Sequence, residues 1–196
     1  MISTELIFAT NNPNKVKEIS KIVPANIRVN SLKDADINID IPEPYNTLEE
    51  NASEKSRTIF TLAKQNCFSE DTGLEVDVLN RMPGVKSARY AGEPTNDEKN
   101  IEKLLNEMTG KANRSARFRT IISLIWDNKE YFFEGICEGK ILNEKRGENG
   151  FGYDPVFVPN GSHKTFAQMD IEEKNLYSHR RKAFDKLVKF LHNPII

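Results

Sequence analysis

Two adjacent acids, Glu70 and Asp71, follow the apolar run Cys67-Phe68 and precede Thr72-Gly73. A carboxylate at such a place can bind Mg2+ or take a proton from water. The letters predict a strand running into a turn at Asp71-Thr72-Gly73, where both acids tip toward one cleft. A solvated turn of ordinary Asp-Thr-Gly chemistry has the same pattern. Because Mg2+ keeps several waters and uses one or two carboxylates plus substrate phosphates, so sparse a set suffices. A further acid is available from Glu43 or from Glu49-Glu50.

Three other segments carry chemistry-bearing residues. Thr10-Asn11-Asn12-Pro13-Asn14-Lys15 is a polar loop at a strand end that opens a helix. Helix-start N–H groups favour negative charge and Lys15 adds a point charge, so a phosphate fits; an ordinary connection whose Asn residues cap the helix fits equally. In Gly150-Phe151-Gly152-Tyr153-Asp154-Pro155 two glycines flank an aromatic. An exposed Phe there can stack a nucleobase, and the alternative is a β-turn with core aromatics. Lys174 and Ser178-His179-Arg180-Arg181 form a cationic set that can donate to a carbonyl or phosphate, although a surface charge run has the same letters. Gly135 to Gly139-Lys140-Ile141 is one residue short of a Walker loop and lacks its Ser or Thr.

The elements that must position these residues follow from periodicity. Leu6-Ile7-Phe8-Ala9 predicts a strand, and Val16, Ile19 and Ile22-Val23 recur at helical spacing. Arg28 to Leu32 suits a second strand, and Asp34 to Asn46 an irregular loop. A helix is expected from Leu48 to Gln65 with Ala52, Ile59, Phe60 and Ala63 inward, and another from Asp97 to Met108 behind an Asn96 cap. Arg117 to Trp126 and Glu130 to Glu138 read as a hairpin, Val156-Phe157-Val158 as a last strand, and Ser178 to Leu191 as a closing helix. This mixture of element orders predicts an α/β or α+β domain with a mixed sheet.

Composition narrows the class. The 196 residues are 38% apolar, enough for a core within one domain, 1–196. Twenty-eight basic residues stand against 29 acidic, so no global field draws the chain to nucleic acid or to a membrane, and neither partner is expected. The start Met1-Ile2-Ser3-Thr4-Glu5 lacks a basic region followed by a long apolar run, and a cytoplasmic location is expected. Cys67 and Cys137 lie in apolar stretches that suit buried thiols.

Taken together and in order, these segments resemble the inosine triphosphate pyrophosphatase family. The likeness spans nearly the whole chain: Thr10 to Lys15; Glu50-Asn51-Ala52 with Lys55; Asp71-Thr72-Gly73-Leu74-Glu75-Val76; Pro83 through Gly92; Gly150 to Pro155; and Glu173-Lys174-Asn175 with Ser178-His179-Arg180. The resemblance implies an α/β fold with a mixed, strongly bent sheet, flanking helices and two lobes around a central cleft, assembled as a homodimer. It implies hydrolysis of ITP, dITP and XTP to the monophosphate and pyrophosphate, which keeps deaminated purines out of DNA and RNA. It places a phosphate loop on Thr10, Asn11, Asn12, Pro13, Asn14 and Lys15, and Mg2+ ligands on Glu43 and Asp71, with Asp71 also the proton acceptor. Nucleotide contacts fall on Thr72, Phe151, Gly152, Tyr153, Asp154, Lys174, His179 and Arg180. The family turn usually reads Ala-Asp-Asp-Ser-Gly, whereas this chain has Ser69-Glu70-Asp71-Thr72-Gly73.

In the mechanism this implies, water attacks the α-phosphorus, Asp71 or Glu70 accepts its proton, and Lys15 and Lys55 stabilise charge on the triphosphate. Donors such as His179 and Arg180 facing a 6-carbonyl would reward hypoxanthine and xanthine and leave the adenine amino group unpaired. A nucleotide-binding module without catalysis is the competing reading. A nucleic-acid binder using Arg180, Arg181, Lys182, Lys186 and Lys189 is a third.

Overall fold

Residues 4–192 are described by the structure, a computed structural model. The elements run β1 (Thr4–Phe8), α1 (Pro13–Ser20), β2 (Ile27–Ser31), α2 (Leu48–Ala63), β3 (Cys67–Val76), β4 (Pro83–Gly84), α3 (Asp97–Glu107), β5 (Ser115–Trp126), β6 (Lys129–Ile141), β7 (Phe157–Pro159), α4 (Ile171–Asn175) and α5 (His179–His192). The strands hydrogen-bond in the order β2-β1-β3-β5-β6-β7, with β4 attached to β3. β1 is parallel to both β2 and β3, while β4 and β7 run antiparallel to their neighbours β3 and β6. The class is therefore α/β with a mixed sheet and flanking helices.

The chain divides into two compact units. The first comprises residues 4–71, 120–135 and 180–192; the second, 72–119 and 136–179.

In the first unit β1 is covered on both faces, which explains its unbroken apolar run. Alternate residues go to opposite sides. Leu6 and Phe8 join Ile19 and Ile22 of α1 or its end and Ala183, Phe184 and Leu187 of α5. Ile7 and Ala9 join Ile59, Phe60 and Ala63 of α2. β3 repeats the alternation beside β1: Phe68 stacks on Phe8 at 4.5 Å between ring centroids, and Cys67 lies on the α2 side. The hairpin turn uses Asp127 and Asn128 at φ 49° and 62°, the left-handed conformations that a two-residue connection requires.

The second unit has its own core, including Leu74, Val76, Ile101, Leu104, Phe118, Phe157 and Phe166. Asn96 caps α3 by accepting from the Lys99 N–H, as its position before the helix predicts. The five-residue α4 is absent from the expected elements. Asp170 caps it by accepting from the Glu173 N–H at 2.8 Å.

The expected turn at Asp71-Thr72-Gly73 does not form; β3 runs straight through it. Leu74 and Glu75 pair with Gly84 and Pro83 of β4, so the ladder continues. Gly73 serves that close approach, because a Cβ there would lie 2.6 Å from the Gly84 carbonyl oxygen.

Candidate active site

An extended β3 sends neighbouring side chains to opposite faces, which overturns the expectation that Glu70 and Asp71 tip toward one cleft. Glu70 shares the face of Phe68, where α1 and α5 pack. Asp71 shares the face of Cys67 and Ser69, where α2 packs, and Ser69 donates its hydroxyl to the Ala52 carbonyl of that helix. Strand parity thus decides which cations each acid meets.

Asp71 is 6% exposed. Lys55 of α2 donates to its Oδ1 at 3.4 Å and to Glu43 Oε1 at 2.5 Å, so one ammonium links the two carboxylates assigned to the metal. Burial disfavours the charge on Lys55, but Asp71 and Glu43 outweigh it and hold the pKa above the ordinary lysine value. Burial raises the Asp71 carboxyl against the pull of Lys55, and the like charge of Glu43 adds to the rise. Asp71 Oδ2 is buried with no hydrogen-bond partner among the described residues.

On the other face Glu70 accepts from Arg180 Nε at 2.7 Å and from Nη2 at 2.8 Å, a bidentate pair, while Arg180 Nη1 donates to Glu18 of α1. Lys15 Nζ lies 3.2 Å from Glu70 Oε1. Burial works against the Glu70 charge, yet Arg180 and Lys15 hold its carboxyl far below the usual range. Burial lowers the Lys15 pKa even though Glu70 pulls the other way. Arg180, expected to read the base edge, is 2% exposed, and its Nε, Nη1 and Nη2 donate to these two carboxylates.

The Thr10 to Lys15 loop is closed largely on itself. Asn12 Oδ1 accepts from the N–H groups of Asn14 and Lys15 at 2.9 and 3.3 Å, and Thr10 Oγ1 accepts from the Asn12 N–H. Asn11 donates its side-chain amide to the Ile39 carbonyl, and Pro13 has no N–H. What this loop offers an anion is the Lys15 ammonium and the positive end of α1.

In the second unit Lys174 of α4 donates to Asp154 Oδ2 at 2.6 Å, and its ammonium lies 5.4 Å from the Phe151 ring centroid and 5.1 Å from that of Phe166. The same Asp154 oxygen accepts from the Phe151 N–H at 3.1 Å. Gly150 sits at φ +79°, where a Cβ would lie 2.0 Å from that oxygen, so only glycine admits the turn. Gly152 donates its N–H to Asp97 at the start of α3. His179 stacks on Phe118 with centroids 4.7 Å apart and planes 14° from parallel. The Tyr153 side chain, grouped with the nucleotide contacts, lies in the core, its hydroxyl donating to the Ser87 carbonyl at 2.9 Å. Thr72 is half-buried in β3.

Sequence reasoning missed Glu18 and gave Asn51 no role of its own, and both are buried. For Asn51 the signal was present: Asn51, Lys55 and Ile59 recur every four residues, which puts polar side chains on the inward face of α2. No group of three or more His, Cys, Asp or Glu side chains is gathered for a metal ion among the described residues. The donor set that fits Mg2+ is smaller: Asp71, with its unpartnered buried oxygen, and Glu43 across Lys55. Among the described residues no helix is long and apolar enough to cross a membrane.

Comparison with known proteins covers nearly the whole chain. The sequence profile of the Ham1 family matches residues 6–190. A dITP/XTP pyrophosphatase of Flavobacterium psychrophilum is 49% identical over 189 residues, which span 96% of this chain and 100% of that protein. The structure of the Staphylococcus aureus Ham1 protein superposes with a TM-score of 0.87 at 40% identity, covering 96% of this chain and 98% of that one. A Ham1 protein from Coxiella burnetii gives a TM-score of 0.88 at 33% identity, with the same coverage.

Proposed function

The chain belongs to the Ham1 family, and on that premise we propose that it hydrolyses deaminated purine nucleoside triphosphates, of the ITP, dITP and XTP kind, to the monophosphate and pyrophosphate. The observation that carries the chemistry is Asp71: a buried carboxylate with one oxygen toward Lys55 and the other without a partner among the described residues. Of the seven charged groups on the two faces, Lys15, Lys55 and Arg180 are cations and Glu18, Glu43, Glu70 and Asp71 are acids. The set is therefore short of positive charge at the Asp71 end, where Glu43 and Asp71 would hold Mg2+. Bound there, the ion supplies charge neutralisation on the phosphates.

The protein's own groups do the rest. Asp71 takes the proton of the water that attacks the α-phosphorus, the bond to the bridging oxygen breaks, and pyrophosphate leaves. Lys15 and Lys55 stabilise the triphosphate charge. In the second unit Phe151 is assigned to stacking on the base, and Lys174 and His179 to donating toward its 6-carbonyl, a contact that the adenine amino group cannot accept. Thr72, Gly152 and Asp154 complete that set, Asp154 by fixing both Lys174 and the Phe151 backbone. Arg180 is reassigned from base reading to holding Glu70.

The proposal includes a single pyrophosphatase domain over 1–196, a homodimer and a cytoplasmic location. Light scattering on the purified chain tests the dimer. A panel of pyrophosphate release from dITP, XTP, GTP and ATP with Mg2+ tests the activity. Release from dITP and XTP well above ATP is expected; nucleotide binding without turnover would overturn the enzyme reading.

A further inference from the structure

Glu70 has no part in the chemistry so far. Its side chain is wholly buried, and both oxygens accept from the Arg180 fork. Oε1 also faces the Lys15 ammonium at 3.2 Å, and that ammonium lies 3.5 Å from the Glu70 carbonyl oxygen. Arg180 is held in turn by Glu18, three residues beyond Lys15 on α1. Three elements therefore close on one carboxylate: β3 supplies it, α5 orients it, and α1 presents both Lys15 and the acid that steadies Arg180. A bidentate guanidinium fixes the carboxylate plane, so the position of Oε1, and with it the anchor for Lys15, is set by Arg180.

From this geometry we infer that Glu70 is a positioning residue that acts through Lys15: it anchors a half-buried ammonium and aims it for the triphosphate, and it is neither a metal ligand nor the proton acceptor. The inference rests on the assignment of Lys15 to the triphosphate. A half-buried ammonium that loses its carboxylate anchor swings toward water. The two alternatives part in sign. If Glu70 only added negative charge near an anion site, its removal would tighten anion binding; if it anchors Lys15, removal weakens it.

The test measures calorimetric binding of inorganic tripolyphosphate, with no divalent ion present, to the wild type, Glu70→Gln, Lys15→Met and the double variant. Glu70→Gln and Lys15→Met are each expected to weaken binding roughly tenfold, the scale of one lost charge-assisted contact. The double variant is expected to be no weaker than Lys15→Met, since interacting residues are non-additive. Unchanged or tighter binding by Glu70→Gln overturns the inference, and so do losses that multiply in the double variant. Glu70→Asp, which keeps the charge and guards against a folding defect, is expected to recover most of the affinity; failure of this folded variant to do so also counts against the inference. In turnover of dITP, the Mg2+ concentration for half-maximal rate should be the same in Glu70→Gln as in the wild type, and a rise would make Glu70 a metal ligand. If tripolyphosphate behaves as expected but the wild type releases no pyrophosphate, the proposed function falls while the role of Glu70 stands. If the wild type does not bind tripolyphosphate, Lys15 is no anion anchor and the inference falls.

Discussion

Both units bury a lysine against an aspartate, and they do so on different terms. In the second unit Lys174 meets Asp154 at 2.6 Å among phenylalanine rings, and the same aspartate oxygen accepts a backbone N–H. In the first, Lys55 lies between Glu43 and Asp71, at 3.4 Å from an aspartate whose other oxygen has no hydrogen-bond partner among the described residues. The Lys174 pair is satisfied by the fold, whereas the Lys55 pair leaves an acid under-compensated in a low-dielectric place. Such an acid is costly unless something else occupies the site, and a site built to receive charge has this character.

Breaking the under-compensated side should have the largest effect. Asp71→Asn keeps the shape and removes the charge, so pyrophosphate release should fall by about 10²–10⁴, the range that a general base contributes. Circular dichroism and the unfolding midpoint should remain those of a folded chain. Near-normal turnover in this variant would remove Asp71 from the chemistry.

Stability separates the buried ion pairs next. Arg180→Leu leaves Glu70 and Glu18 short of their main cation and should cost about 3–5 kcal/mol in urea unfolding, the range for breaking a buried pair. Lys174→Met should cost less, about 1–3 kcal/mol, because Asp154 keeps its bond to the Phe151 N–H. Equal losses in the two variants would mean that the shared anchoring of Arg180 adds nothing over a single pair.

These partnerships were not legible in the sequence, although most of the elements were. β1, α1, α2, the β5–β6 hairpin and α5 announce themselves through periods of two and 3.6. The reading at Asp71-Thr72-Gly73 failed because glycine after Asp-Thr also marks a turn, while its actual reason is the close approach of a later strand at Gly84. Helix α4 is too short for periodicity, yet Asp170 with Glu173 three residues later is a capping signal. For the candidate site, residue types and resemblance pointed to Asp71, Lys15 and Lys55, and the structure brings Lys55, Asp71 and Glu43 together. The partner of Glu70 lies 110 residues away, and nothing local to either residue predicts the pairing.

A smaller effect bears on the second unit. Phe151→Ala should weaken dITP binding by about 1–3 kcal/mol if the ring stacks the base, and should leave tripolyphosphate binding unchanged. Calorimetry with both ligands decides it. An equal loss for tripolyphosphate would place the effect of Phe151 on the phosphates and would take base stacking out of the proposal.

The smallest expected effect comes from the residue beside Arg180. Arg181 pairs with Asp185 one helical turn on, at 2.7 Å, and the two side chains are 39% and 52% exposed. Water screens such a pair, and two long side chains must be ordered to form it, so Arg181→Ala should change unfolding free energy by no more than about 0.5 kcal/mol. The same helix start therefore carries two arginines whose expected losses differ by several kcal/mol. Their charge is identical and their positions differ by one residue. What separates them is the turn of α5 that aims Arg180 at two buried carboxylates and Arg181 at the exposed Asp185. A loss of several kcal/mol from Arg181→Ala would show that positive charge at this helix start matters wherever it points, and the case for the Arg180 fork as a specific anchor would collapse.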